Sequence, residues 1–462
     1  MLMNKINYTI SLLLLLCIIS NGCKKFVTVE SPQTQLSSSS IFNSDATAIA
    51  AQLSIYSQME LDGLAYNIMI NSGMSADEFT NYSTSVGAID LATNNLTPDN
   101  FVVQTIWTRF YNYIYQTNAI LEGLKQATKI SDSTKKQLEG ESKFVRAFCH
   151  FYLVSLYGDV PIINSTDYLI NESAERASVN SVYTFIENDL KDAILLLGSE
   201  YLDARNLVTT ERVRPNKSTA SALLSRVYLY IGKWSEAEIE ASKVIDYKSR
   251  YSLATSLNNS FLKNNSEAIW QLFAVYPTYN SHPGAQLILR STPTVVALDT
   301  NFVKSFRLSD NRKLSWIQSI TVSGKTYYYP YKYKVGLNAS TITEYTMVLR
   351  LSEQYLIRAE ARAKLNNING SLADLNQIRI RAGLTGLSGV SQTPLIDSIQ
   401  IERKYELFSE FGDRWFNLRR TGSINQIMKN VKGNNWTDTD QLYPIPQSEI
   451  NKNARLKQNP GY

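Results

Sequence analysis

The chain has 462 residues, 44% of them hydrophobic and 19% charged, with a formal net charge of +5, which is enough apolar material for a large core or for two or three lobes. Its Lys and Arg residues are dispersed along the chain and nowhere form the basic track of a nucleic-acid binder. With two His and three Cys it has no His/Cys metal spacing, and it also lacks a Gly-rich phosphate cradle and a Ser nucleophile elbow.

Residues 1–22 read as an export signal: a basic head ending at Lys5, an apolar run from Ile10 to Ile19, and Ser20-Asn-Gly before Cys23. The apolar run is short of the about 20 residues that span a bilayer, so it is expected to be removed. The mature chain then begins at Cys23, whose acyl chains hold it to a bacterial membrane surface. Ser20 stands where such signals usually carry leucine. Cys17 leaves with the signal and Cys23 takes lipid, so Cys149, among apolar neighbours from Phe144 to Leu153, has no partner for a disulfide. Residues 23–45, with a serine run at 37–40, are expected to form a lipid-anchored tether and extended lead-in.

The body, 46–462, reads as mostly α. A helix is predicted over 46–62, a longer one over 101–126 with aromatic residues three and four apart, and a third over 133–157, stopped by Gly158-Asp-Val-Pro161. The span 216–246 predicts a helical hairpin, with Ser218 as cap, Leu223, Leu224, Val227, Tyr228 and Ile231 on one stripe, and Ala237, Ala241, Val244 and Ile245 on the other. The pattern returns at 350–365 and 371–382, where Ser371 with Asp374 resembles a capping box. Small Ala residues let such hairpins approach closely and stack as tetratricopeptide arrays do. A helical frame over about 46–246 and 345–462 is therefore expected to carry an irregular, loop-rich half with a few short strands over about 250–345. Prolines, Asn, Ser and short β-branched runs such as Thr294–Ala297 gather in that segment.

Arg403, Glu406, Glu410 and Arg414 place opposite charges three and four apart along a helix, a pattern that usually marks a solvated face. Nothing sets two carboxylates across a cleft as glycoside hydrolysis needs, and His150 reads as a packing residue, so no catalysis, cofactor or metal is expected. Binding finds more support. A sugar ring presents C–H faces rimmed by hydroxyls, and a receptor for it needs an aromatic platform with amides and charged groups around it. Two segments have that composition. One is Ala76–Ser83, with Asp77, Asn81 and Tyr82; the other runs from Tyr279 through Arg307 and Trp316 to Tyr327 and Tyr329. Tyr82 and Trp316 are the expected stacking residues, and His282 on its loop is a further candidate for ligand contact.

Several blocks together carry a family resemblance. They are Trp107–Asn118, Glu141–Phe148 with Tyr157-Gly-Asp-Val-Pro161, Arg350–Glu360, Leu375–Gly383, Glu402–Arg414 with Leu418–Gly422, and the closing Leu442-Tyr-Pro-Ile-Pro446 with Gln458-Asn-Pro-Gly-Tyr462. In that order they resemble the SusD/RagB family of lipid-anchored nutrient-binding proteins of the Bacteroidetes outer membrane. The resemblance implies a tetratricopeptide-like half packed on an irregular half, and places the Ala76–Ser83 segment on the face where ligand-contacting loops gather. It implies a structural role for the Arg403–Arg414 ladder and makes Asp310-Asn-Arg312 a brace for its loop. It further implies a cell-surface lid over a TonB-dependent transporter that takes up an oligosaccharide, or in some cases a peptide, and passes it on uncut. An envelope assembly scaffold without a small ligand is the remaining alternative.

Overall fold

A computed structural model describes residues 41–462; the export signal, Cys23 and most of the lead-in lie outside the described residues. The helices expected in the first third are present. α1 (Asp45–Leu61) is capped by Ser44, whose Oγ accepts from Thr47 N–H. It turns into α2 (Leu64–Ser75) through Gly63 at φ 59°, where a Cβ would meet the His282 ring at 2.8 Å. A short strand, β1 (Phe79–Asn81), and α3 (Val86–Thr93) follow. α4 (Phe101–Gln126) is capped by Asn100 and buries Trp107, Phe110, Tyr113 and Ile114 on one side, as the aromatic spacing requires. α5 (Asp132–Tyr157) is enclosed along most of its length because it packs between α4 and α6 (Val179–Leu196).

The first hairpin comprises α7 (Lys217–Tyr230) and α8 (Trp234–Ile245). Its cap is Asn216 rather than Ser218. Asn216 Oδ1 accepts from Thr219 N–H at 3.0 Å while Asn216 N–H donates to Thr219 Oγ1 at 3.3 Å, a reciprocal box that starts the helix before Ser218. Asn216→Ala is expected to lower stability by about 1–2 kcal/mol, read as a lower urea midpoint with an unchanged slope. The second hairpin comprises α9 (Leu351–Lys364) and α10 (Ile368–Arg381). Asn367 caps α10 through Gly370 N–H at 3.0 Å, so the box expected at Ser371 and Asp374 does not form. Ser371 Oγ donates instead to the Ala359 carbonyl at 2.7 Å, and Asp374 receives both arms of Arg358 at 2.8 and 2.9 Å.

From α4 to α10 each helix packs on the next in chain order, the arrangement of a helical repeat stack. Fully buried Ala237 and Ala241 of α8 and Ala359, Ala361 and Ala363 of α9 permit the close spacing. α11 (Gln392–Glu406) packs on α9 and α10, and α12 (Asp413–Arg420) and α13 (Ile424–Lys432) follow it. Among the described residues no helix is long and apolar enough to cross a membrane.

The segment between the two hairpins carries the irregular half. Ahead of it, β2 (Tyr201–Leu202) and β3 (Val208–Thr209) make a small ribbon. β4 (Ala268–Leu272) pairs antiparallel with β8 (Thr346–Arg350). β5 (Val296–Leu298), β6 (Ile317–Val322) and β7 (Lys325–Pro330) join β1 in a four-stranded antiparallel sheet of order β1-β5-β7-β6. The β-branched run at Thr294–Ala297 thus leads into β5, an interior strand of the sheet.

The charge ladder, whose spacing alone would suit a solvated face, lies inside, in keeping with the structural role that the family resemblance implies. Arg403 and Glu406 are fully buried, because α11 turns that face toward β8, the Asp310–Arg312 turn and α9. Arg403 meets Glu353 at 3.2 Å and also Asp413; Glu406 meets Arg350 at 2.6 Å and Arg312 at 3.2 Å; Glu410 meets Arg350 at 2.7 Å. Arg312 returns to Asp310 at 2.7 Å and reaches Glu402 at 2.6 Å, which ties the turn to α11.

Candidate functional site

The end of α2 and the four-stranded sheet together build one face. Asp299 N–H donates to the Glu78 carbonyl at 2.9 Å and Tyr82 N–H to the Val295 carbonyl at 2.8 Å, so the β1–β5 pairing carries Tyr82 to the end of the sheet. Asn81 sets the turn that follows: its Oδ1 accepts from Ser83 N–H at 2.9 Å and its Nδ2 donates to the Ser83 carbonyl at 3.0 Å. β6 and β7 are joined by Ser323 and Gly324 at φ 50° and 79°, both left-handed as a two-residue hairpin turn demands. Alternation then places Lys325, Tyr327 and Tyr329 on one side of β7, opposite Val322, Ile320 and Gln318. Tyr328 points to the other side and packs against the core.

On the first side Tyr82 meets Tyr327 edge to face, with ring centroids 5.5 Å apart at 77°. The Lys325 ammonium stands 5.5 Å from the Tyr82 ring and 5.2 Å from that of Tyr327. Tyr327 is itself buried beneath them, while Tyr82 and Tyr329 are half-buried. A cleft of ≈ 720 Å³ reaches Asn81, the residue before Tyr82, and is bordered by Asp77, Thr80, Asn301, Lys404 and Asn435 among others, a size suited to a small or oligomeric ligand. Asp77 is braced within it, receiving two bonds from Arg414 at 2.7 Å each. Burial works against its charge, but Arg414 prevails and holds the carboxyl below its usual range.

The structure puts Asp77 and Asn81 on the cleft and, next to Asn81, Tyr82 against Tyr327 on the side of β7 that also carries Tyr329; none of the three tyrosines lines the cleft. It separates three other expected residues from them. Trp316 is not a displayed platform: it is 0% exposed, donates Nε1–H to the Leu257 carbonyl at 2.9 Å, and lies under Lys332, whose ammonium is 4.7 Å from its ring. It ends the short helix Asn311–Trp316 on the inner side of the sheet, where its area serves the core. Tyr279 stacks on Tyr276 at 4.5 Å and meets His282 at 5.8 Å, at the start of α2, where Tyr66 touches the same His282. β1 leaves from the opposite end of that helix, about 18 Å away along its axis. Arg307 stands exposed on the turn after the helix Thr300–Lys304.

Lys404, Lys432, Asp299 and Asn301 escape sequence reasoning. They come from α11, α13 and the cap and first turn of the helix Thr300–Lys304 after β5, and no local pattern joins them to Tyr82. A second concavity of ≈ 400 Å³ runs along Trp107, Tyr111 and Tyr115 of α4, but its amides Asn171 and Asn453 are committed to the Ser165 and Ala174 carbonyls.

Among the described residues, the two carboxylates that line the cleft, Asp77 and Asp299, are both held by protein donors. Asp299 caps the helix Thr300–Lys304 through Asn301 N–H at 2.8 Å and accepts from Thr80 Oγ1 at 3.1 Å. His150 donates Nδ1–H to the Arg146 carbonyl at 2.8 Å, and burial pushes it down to about 4, so it is neutral. Among the described residues, no three or more His, Cys, Asp or Glu side chains are placed to hold a metal ion.

A family model described as starch-binding and associating with the outer membrane matches residues 25–229, and the SusD family model matches residues 302–462. The chain is 25% identical over 530 residues to SusD-like protein P2 of Formosa agariphila, with all of both chains covered. Its fold superposes on a SusD superfamily protein from Bacteroides vulgatus with a TM-score of 0.79 at 20% identity, over 91% of this chain and 100% of that one. It superposes on a laminarin-binding SusD-like protein with a TM-score of 0.72 at 23% identity, over 90% and 99%.

Proposed function

This chain belongs to the SusD family, and on that premise we propose that it is a non-catalytic receptor at the cell surface, anchored to the outer membrane by lipid on Cys23, which binds an oligosaccharide and passes it to a TonB-dependent transporter. The observation that supports the ligand class is a cleft rimmed with amides and hydroxyls whose lining reaches Asn81, the residue next to the paired rings of Tyr82 and Tyr327. The half-exposed Tyr82 ring offers a face to sugar C–H groups, while Asn301 and Asn435 offer both donors and acceptors to hydroxyls. The carboxylates at the cleft are held in structural bonds, which leaves no acid–base pair for cleavage. The chain carries no nucleotide cradle, so the energy for import comes through the transporter.

Calorimetric titration of the purified protein with neutral and acidic oligosaccharides and short peptides tests this reading. Saturable heat with one glycan class, weakened about tenfold by Tyr82→Ala with the fold intact, is the expected outcome. Binding of peptides alone would replace the ligand class. Silence across the panel would favour an assembly scaffold.

A further inference from the structure

The cleft beside Tyr82 carries four charged side chains, Asp77, Asp299, Lys404 and Lys432, and only the two carboxylates have their hydrogen-bonding capacity answered by the protein. Asp77 holds Arg414 in a two-pronged pair, and Asp299 accepts from two backbone N–H groups, at 2.8 and 3.1 Å, and from Thr80. The two ammonium groups retain donors. Among the described residues Lys404 makes no hydrogen bond. Its nearest carboxylate oxygen, Asp77 Oδ2, is 4.0 Å away and already held by Arg414, although the Lys404 side chain is only 20% exposed. Lys432 donates to the Met74 and Ala92 carbonyls at 2.7 and 2.9 Å, which leaves one of its three N–H groups unused.

A half-desolvated ammonium without a bonded counter-ion is unfavourable, and an oxyanion entering the cleft relieves that penalty. The amides of Asn301, Asn430 and Asn435 border the same space and, among the described residues, make no side-chain hydrogen bond, so they remain available to neutral hydroxyls. Lys404 also borders an adjoining cleft of ≈ 650 Å³. There Glu360 is held by Arg420 at 2.6 and 2.8 Å, and the exposed Asp397 and Lys364 are of opposite sign. The ammonium of Lys404 thus stands where two concavities meet, a position passed by a chain of sugar units rather than by a single ring.

We infer that the site takes an acidic glycan, with Lys404 and Lys432 receiving its carboxylate or sulfate groups in the cleft; this rests on the oligosaccharide reading above. Burial lowers Lys432 to about 8, with Asp77 and Asp299 facing it and opposing that shift. Near pH 8 an arriving anion therefore draws a proton onto Lys432, and affinity falls as pH rises further.

The test is calorimetry on the purified protein with matched pairs: an oligouronate against its carboxyl-reduced homologue, and a sulfated oligosaccharide against its desulfated form. Each pair is titrated at pH 7 and at pH 8 in buffers of different ionisation enthalpy. The acidic member of at least one pair is expected to bind about tenfold tighter, with proton uptake at pH 8. Lys404→Met is expected to erase that preference and Lys404→Arg to restore most of it, with thermal melts confirming that both variants are folded. Equal or tighter binding of the neutral members, sensitive to Tyr82→Ala, overturns this inference while leaving the oligosaccharide reading in place. A preference that persists in folded Lys404→Met also overturns it. Binding of acidic peptides alone, or of nothing in either series, overturns both.

Discussion

Arg350→Met is expected to lower the free energy of unfolding by about 3–5 kcal/mol, measured as a lower urea midpoint at unchanged slope. Arg350, the last residue of β8, reaches Glu267 at 2.8 Å, Glu406 at 2.6 Å, Glu410 at 2.7 Å and the Glu406 carbonyl at 2.6 Å. It belongs to a linked interior set of carboxylates, Glu267, Asp310, Glu402, Glu406 and Glu410, and cations, Arg312, Lys332, Arg350, Arg379 and Arg381. The two signs balance, so removing one guanidinium strands a carboxylate in low dielectric. Methionine fills much of the volume but answers none of the charge. Arg350→Met combined with Glu406→Gln is expected to recover part of the loss, since the stranded charge goes with it. A loss under about 1 kcal/mol for the single variant would show that water reaches the network and screens it.

Stability is expected to fall between pH 5 and pH 7.5, and Glu60→Gln and Glu78→Gln are each expected to remove about 3 kcal/mol of that fall. Both carboxyls are almost wholly enclosed, and burial pushes each up to about 8. Glu60 accepts from His282 N–H at 3.0 Å and Thr346 Oγ1 at 2.9 Å, bonds that a Gln oxygen keeps. Glu78 Oε1 has no partner among the described residues. With folded values raised above the unfolded one, the native state binds more protons than the unfolded chain from about pH 4.5 to 8. Each unit of pH in that window therefore works against the fold. Glu406 shows the opposite sign: burial raises it, but Arg381, Arg350 and Arg312 outweigh burial and hold it far below its usual range. Its contribution is present above the unfolded value and is lost only in strong acid. Urea titrations at pH 5, 6, 7 and 7.5 on the wild type and each variant decide the matter. A wild-type profile that is flat or rising would contradict the buried-acid account.

The long helices were legible in the sequence because their signals are local. The aromatic spacing of 101–126 and the stop at Gly158 need no knowledge of the rest of the chain, and α4 and α5 follow them. Caps were less legible. Ser371 and Asp374 have the right types at the right spacing, yet Asp374 is taken by Arg358 from the preceding helix while Asn367 caps α10. A cap is a competition among donors and acceptors, and the competitors need not be near in sequence.

The amino-acid sequence by itself determined the helical frame, the loop-rich half between its hairpins and the ordered blocks that mark the SusD family, since periodicity and short motifs are properties of neighbouring residues. Which aromatic rings are displayed was decided only by tertiary structure: Trp316 and Tyr82 both stand among polar neighbours, but one lies beneath Lys332 and the other is half-exposed at the end of β1, next to the Asn81 that borders the cleft. The ladder is not one helix, since α11 ends at Glu406 and Arg414 lies on α12, and Arg403 and Glu406 became interior for the same reason, because β8, the Asp310–Arg312 turn and α9 close over them. The cleft itself joins Asp77, Asn301, Lys404 and Lys432 across hundreds of residues. Exposure and charge pairing depend on what packs against a side chain, and that is set by long-range contacts that no local pattern encodes.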